Sequence, residues 1–89
     1  MALFHWDIEK NAKLLEERGV CFEEIILHIE TGDLLAIIPG KGKYAHQKQF
    51  VVAVSGYAHI VPYIETEGEF FLKTIIPSRE MTKIYLRRE

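Results

Sequence analysis

The 89-residue chain is predicted to be an α+β protein with two N-terminal helices, an antiparallel sheet of about four strands in a β-meander, and a C-terminal helix. Three observations predict it. Apolar residues recur at helical spacing through the first third of the chain, and from Leu34 onward they give way to β-branched and aromatic runs divided by glycine turns. The last run then ends at Pro-Ser, a helix-start signal, before a second stretch of helical period.

In DIEKNAKLLEERG, Asp7 is a good N-cap, Glu9 lies in the first turn, and Ile8, Ala12 and Leu15 are spaced along one face. Gly19 ends that helix. A second helix follows in VCFEEIILHIETG, where Phe22, Ile25, Ile26 and Ile29 stand at i, i+3, i+4 and i+7. With Cys21 as N-cap, Val20 and Ile25 form a hydrophobic staple and Glu24 supplies half of a capping box. Gly32 stops this helix, so the first third is an αα-hairpin.

LLAII is a strand, PGKGKYAHQ a loop, and FVVAVS, HIVPYIE and FFLKTII three further strands turned at Ser55-Gly56 and Glu67-Gly68. Pro62 has no N–H, so its strand must have an edge or a bulge there. A short first strand near Leu3 and Phe4 is weakly signalled. Ser78 caps the last helix, which runs to about Arg88 with Met81, Ile84 and Tyr85 on its apolar face. No repeat or linker divides the chain, so residues 1–89 are expected to form one domain.

Composition sets limits on function. The chain is 48% hydrophobic and 27% charged, which is ordinary for a globular domain, and no apolar run nears the roughly 20 residues needed to cross a bilayer. Without a secretory layout at the N-terminus, and with Cys21 as the single cysteine, the expected location is the cytoplasm. The net charge of -2 excludes a uniformly basic surface. It is unevenly spread: residues 1 to 33 carry eight acids and three bases, and residues 34 to 89 carry five acids and eight bases. Any polyanion would meet the second part.

GKGKYA matches the dinucleotide pattern G-x-G-x-x-A but lacks the strand and the immediate helix that pattern requires, so it reads as a flexible hairpin loop. The four histidines fall on different elements, with no cysteine or second histidine at ligand spacing, and neither metal nor cofactor is expected. His28 is expected to be solvated and His59 to be packed or hydrogen-bonded within a strand. His46 differs, because Lys41, Lys43, Tyr44, Lys48 and Gln49 lie beside it. A titratable imidazole, several cations and an aromatic ring are the parts needed to hold RNA and move a proton. A solvated lysine-rich loop is the structural alternative.

Arg79, Lys83 and Arg87 form a basic stripe at i, i+4 and i+8 of the last helix. Cations near a helix C-terminus complement its dipole, which accounts for Lys83, Arg87 and Arg88. It leaves Arg79 unexplained, because a cation in the first turn is mildly disfavoured.

FHWDIEKNAKLLEERGVCFEEI, residues 4 to 25, resembles the opening of the BrnT family of bacterial toxins. There a Phe-x-Trp-Asp segment leads into a helix that contains an Asn, ends in basic-Gly-Val and is followed by Ser-Phe-Glu-Glu. The match holds at Phe4, Trp6, Asp7, Lys10, Gly19, Val20, Phe22, Glu23 and Glu24. FVVAVSGY is similar to that family's strand and glycine turn, and IIPSRE to its Ile-Ile-Ser-Ala-Arg signature.

The resemblance implies a RelE-like fold and a ribonuclease-type toxin of a type II toxin–antitoxin pair, acting on RNA, in some cases on the ribosome, and inhibiting translation. Its implied partner is a DNA-binding antitoxin of ribbon-helix-helix or CopG-like type, through which alone it would reach operator DNA. Arg79 falls on the family's arginine after Ile-Ile-x-x. Thr74 and Gln49 fall where arginines are usual. Lys73 and Lys48 stand next door, yet strand alternation would point each to the opposite face from its neighbour unless a bulge intervenes.

The expected site is therefore Arg79 and Lys48 on the scissile phosphate and His46 as proton carrier, with Lys41, Lys43, Tyr44, Lys83 and Arg87 holding flanking RNA. The rival is a non-enzymatic module that binds an antitoxin and controls its own operator, with a degenerate nuclease site.

Overall fold

The computed structural model describes residues 3–86. The elements run β1 (Leu3–His5), α1 (Ile8–Arg18), α2 (Phe22–Glu30), β2 (Leu34–Pro39), β3 (Lys48–Val54), β4 (Tyr57–Thr66), β5 (Glu69–Leu72), β6 (Ile76–Pro77) and α3 (Arg79–Tyr85). The six strands form one sheet in the order β1-β5-β4-β3-β2, with β6 paired to β4 beyond the end of β5.

The helix boundaries follow the local chemistry. The Asp7 carboxylate accepts the Lys10 N–H at 3.0 Å, and Gly19 closes α1 in the left-handed region at φ 71°. Cys21 occupies the N-cap of α2 but makes no capping bond. Asn11 of α1 supplies it instead: its Oδ1 accepts the Phe22 N–H and its Nδ2 donates to Glu23, both at 2.7 Å. One amide thus fixes the corner of the αα-hairpin. The Asn11 contact also holds the Glu23 carboxyl below the usual glutamate range.

The core lies between the two helices and one face of the sheet. Leu14, Val20, Phe22 and Ile25 pack on Phe50, Val52, Val54, Val61, Tyr63, Leu72 and Ile75. An aromatic row crosses the strands within it, with ring centroids 5.5 Å apart for Phe4 and Phe70, 5.5 Å for Phe70 and Tyr63, and 3.9 Å for Tyr63 and Phe50. β2 to β5 are successive antiparallel neighbours, as the meander reading expected. Ser55-Gly56 and Glu67-Gly68 make the turns, each pair with positive φ at both residues, the two-residue geometry that matches strand twist.

Four expectations change. The sheet has six strands and is mixed, because β1 pairs parallel with β5, Phe4 opposite Phe70. That pairing joins segments 66 residues apart, which local periodicity cannot report. FFLKTII is split between β5 and β6 by a crossover at residues 73–75. On α1, Leu14 is the buried residue, while Ile8 and Leu15 of the expected inner face are 81% and 53% exposed. The anchor of α3 is likewise Thr82, at 2% exposure, and Ile84 is 59% exposed. The Thr82 hydroxyl accepts the Ala58 N–H at 2.8 Å and donates to the Ser78 carbonyl at 2.7 Å, joining α3 to β4.

Candidate functional site

The loop between β2 and β3 is held by its own backbone. Gly40 N–H donates to the Gln47 carbonyl at 2.9 Å, and Gln47 N–H to the Tyr44 carbonyl at 2.9 Å, around a single 3-10 turn at Gly42–Tyr44. A Cβ on Gly40 would lie 2.1 Å from the Tyr44 carbonyl oxygen, so only glycine fits there. Lys41, Lys43, Tyr44 and His46 are all exposed, with Lys43 Nζ 5.3 Å from the centre of the Tyr44 ring.

This loop delivers the chain into β3 at Lys48 and Gln49, and strand alternation sends the two side chains to opposite faces. Lys48 goes to the face that bears α1 and α2. There His46, Lys48, Tyr63 and Glu65 line a polar cleft of about 150 Å³. Burial, with Glu65 adding to it, pushes the Tyr63 phenol above its ordinary value, so it stays protonated near neutrality. Tyr63 and Glu65 were not among the sequence candidates. No local motif marks them, and only the pairing of Lys48 with Tyr63 brings them in.

Gln49 goes to the other face, into a groove of about 310 Å³ lined by Tyr44, Gln47, Gln49, Pro62, Lys73, Thr74 and Ile76. Pro62 lines it, beside the gap between β5 and β6. The Pro62 carbonyl accepts the Lys73 N–H at 2.8 Å, and the N and C=O of a strand residue point to the same edge. The donor that proline lacks would therefore face the gap where β5 has ended and β6 has not begun. Arg18 holds that crossover from α1, its guanidinium donating to the Ile75 carbonyl. Its sole trace in the sequence is the basic residue before Gly-Val. Because residues 73–75 are not in a strand, Lys73 and Thr74 both line the groove, and the alternation expected for that pair does not apply.

Ser78 caps α3 as expected, accepting the Met81 N–H at 3.1 Å, and Arg79 and Lys83 are exposed on that helix. Arg87 lies outside the described residues. Ser78 N–H bonds the Ala58 carbonyl whereas Lys48 stands opposite Tyr63, so five residues of β4, roughly 17 Å, separate the two positions. The structure joins His46 with Lys48 and does not join either with Arg79.

His28 is not free in solvent but bonds Asp33 at 2.6 Å, half-buried. His59 is hydrogen-bonded to the Tyr57 carbonyl at 3.0 Å, and burial holds its imidazole below the usual histidine value. His5 pairs with Glu69 at 2.7 Å. Among the described residues no group of three or more His, Cys, Asp or Glu is placed to hold a metal ion, and no helix is long and apolar enough to cross a membrane.

The fold is similar to that of a YafQ mutant from E. coli seen in its crystal structure, with a TM-score of 0.53 over 91% of this chain and 98% of that one, at 13% identity. The chain thus shares the fold of that protein. No family model and no curated protein matches the sequence.

Proposed function

We propose that this protein is the toxin of a toxin–antitoxin pair and cleaves RNA to inhibit translation. The observation that carries the reading is the convergence of His46, Lys48, Tyr63 and Glu65 in one polar cleft beside an exposed loop bearing Lys41 and Lys43, on a fold similar to that of YafQ. The His46 imidazole takes the proton of a ribose 2'-hydroxyl, whose oxygen attacks the neighbouring phosphorus as the bond to the 5'-oxygen breaks. Lys48 neutralises the charge that builds on the phosphate, and the protonated Tyr63 donates to the departing oxygen. Lys41, Lys43 and Tyr44 hold one flank of the strand, and Arg79, with Lys83 and Arg87, a more distant phosphate. Neutralisation falls to a DNA-binding antitoxin.

A second reading has its own support. Where the resemblance leads one to expect two arginines, the groove holds Gln49 and Thr74, and Lys73 is its one cation. A degenerate nuclease that serves to bind its antitoxin and control transcription is consistent with that. Expression of the chain with and without its neighbouring gene separates the two, with growth and RNA integrity followed together. Growth arrest and cut RNA, both relieved by the neighbour, are expected; a protein that neither arrests growth nor cuts RNA would end the nuclease reading.

A further inference from the structure

The groove on the far side of β3 has the chemistry of a reader rather than a cutter. Gln47 and Gln49 are half-buried and line it, and each carboxamide offers a donor and an acceptor in one plane, the complement of a base edge. Among the described residues neither carboxamide, nor the Thr74 hydroxyl, is engaged in a hydrogen bond. Half-buried polar groups that line a cavity and make no bond within the protein can exchange solvent for the donors and acceptors of a ligand. Tyr44, 50% exposed at the rim, presents a ring for stacking. Pro62 and Ile76 add apolar wall, no carboxylate lines the space, and Lys73 supplies one positive charge. At about 310 Å³ the groove is at the small end of ligand sites, room for one ring system and not for a duplex.

We propose that this groove binds a single unpaired nucleobase of the RNA, read by Gln47, Gln49 and Thr74 and stacked on Tyr44, so that it sets sequence preference while the cleft at His46 performs the chemistry. The proposal rests on RNA being the substrate. At the two positions where the resemblance leads one to expect arginine, a carboxamide and a hydroxyl offer neutral donors and acceptors to a base edge, without the positive charge that also attracts backbone phosphates.

The test separates binding from cleavage. Fluorescence anisotropy of labelled 2'-O-methyl pentanucleotides, one for each base, measures affinity with the attacking hydroxyl blocked. The wild type is expected to favour one base by about tenfold, the discrimination a paired base-edge contact gives. Gln49→Leu and Gln47→Leu should each bring the four affinities within about threefold of one another, whereas Lys48→Ala should weaken all four alike. Thr74→Val, the smallest change in the lining, guards against a variant that fails to fold, and thermal unfolding is followed for each.

Equal affinity of the wild type for all four strands, no binding of any strand, or a preference that survives in the folded groove variants would overturn the proposal. Cleavage of unmodified RNA is scored separately. A base preference without cleavage removes the nuclease reading and supports the groove, while cleavage without preference removes the groove and leaves the nuclease.

Discussion

The guanidinium of Arg18, at the end of α1, donates to the main-chain carbonyl of Ile75, in the crossover between β5 and β6. The contact spans 57 residues and fixes the segment that carries Lys73 and Thr74 into the groove. Arg18→Gln should lower stability by about 1–2 kcal/mol, since a partly buried carbonyl loses a charged donor. Urea unfolding measures the loss, and the base preference should weaken while the melting transition stays cooperative. An unchanged urea midpoint would show that the contact carries no weight.

Gly40 is where the loop closes on itself. Gly40→Ala places a methyl carbon 2.1 Å from the Tyr44 oxygen and 2.8 Å from that of Gln47, both main-chain atoms. The loop must open to accept it, at a cost of about 1–3 kcal/mol. Both RNA affinity and cleavage should fall together, because the same loop carries His46 to the cleft and Tyr44 and Gln47 to the groove. Native far-ultraviolet circular dichroism with both activities intact would argue against this coupling.

The residues of the proposed site should separate by place. His46→Ala and Lys48→Ala are expected to reduce single-turnover cleavage by about a hundredfold or more, the scale of a lost general base. Arg79→Ala should cost less than about tenfold, mostly in affinity, since it lies roughly 17 Å along β4 from the Lys48 position. Arg79 is exposed, so its replacement should leave the fold unchanged. Equal losses at Arg79 and Lys48 would require the two to meet on one phosphate.

His59 predicts a pH dependence of stability. Its imidazole is held below the usual value chiefly by burial, partly offset by the Tyr57 carbonyl and by Glu24, while His28 on α2 adds to the lowering. The unfolded chain therefore binds a proton that the folded chain resists, so stability is constant above the unfolded value near 6.5 and falls as pH drops below it. Urea unfolding between pH 7.5 and 5.5 should show that loss. In His59→Gln the slope should flatten, and a slope identical to the wild type would show that His59 is not its source.

The local parts of this structure are legible in the chain. Asp7 and Ser78 cap their helices, Gly19 ends α1, the two glycine turns fold the meander, and Pro62 marks a break, because each of these acts on backbone atoms a few residues away. The basic loop and His46 are conspicuous for the same reason, since their charges and ring lie within a few residues of one another along the chain.

What tertiary structure alone decided is which faces those parts present. Helical spacing placed Ile8 and Leu15 on an apolar stripe, but packing buried Leu14 and tied Asn11 to Phe22. Strand alternation predicted that Lys48 and Gln49 diverge, yet only the register of β3 with β4 shows what each meets: Tyr63 and Glu65 for one, a groove lined by Pro62 and by the crossover that Arg18 bonds for the other. β1 found β5, and Thr82 found Ala58, across separations that no local period records. A sequence determines the short-range bonds of its backbone one by one, whereas a site is made of side chains that meet only after the whole core has closed.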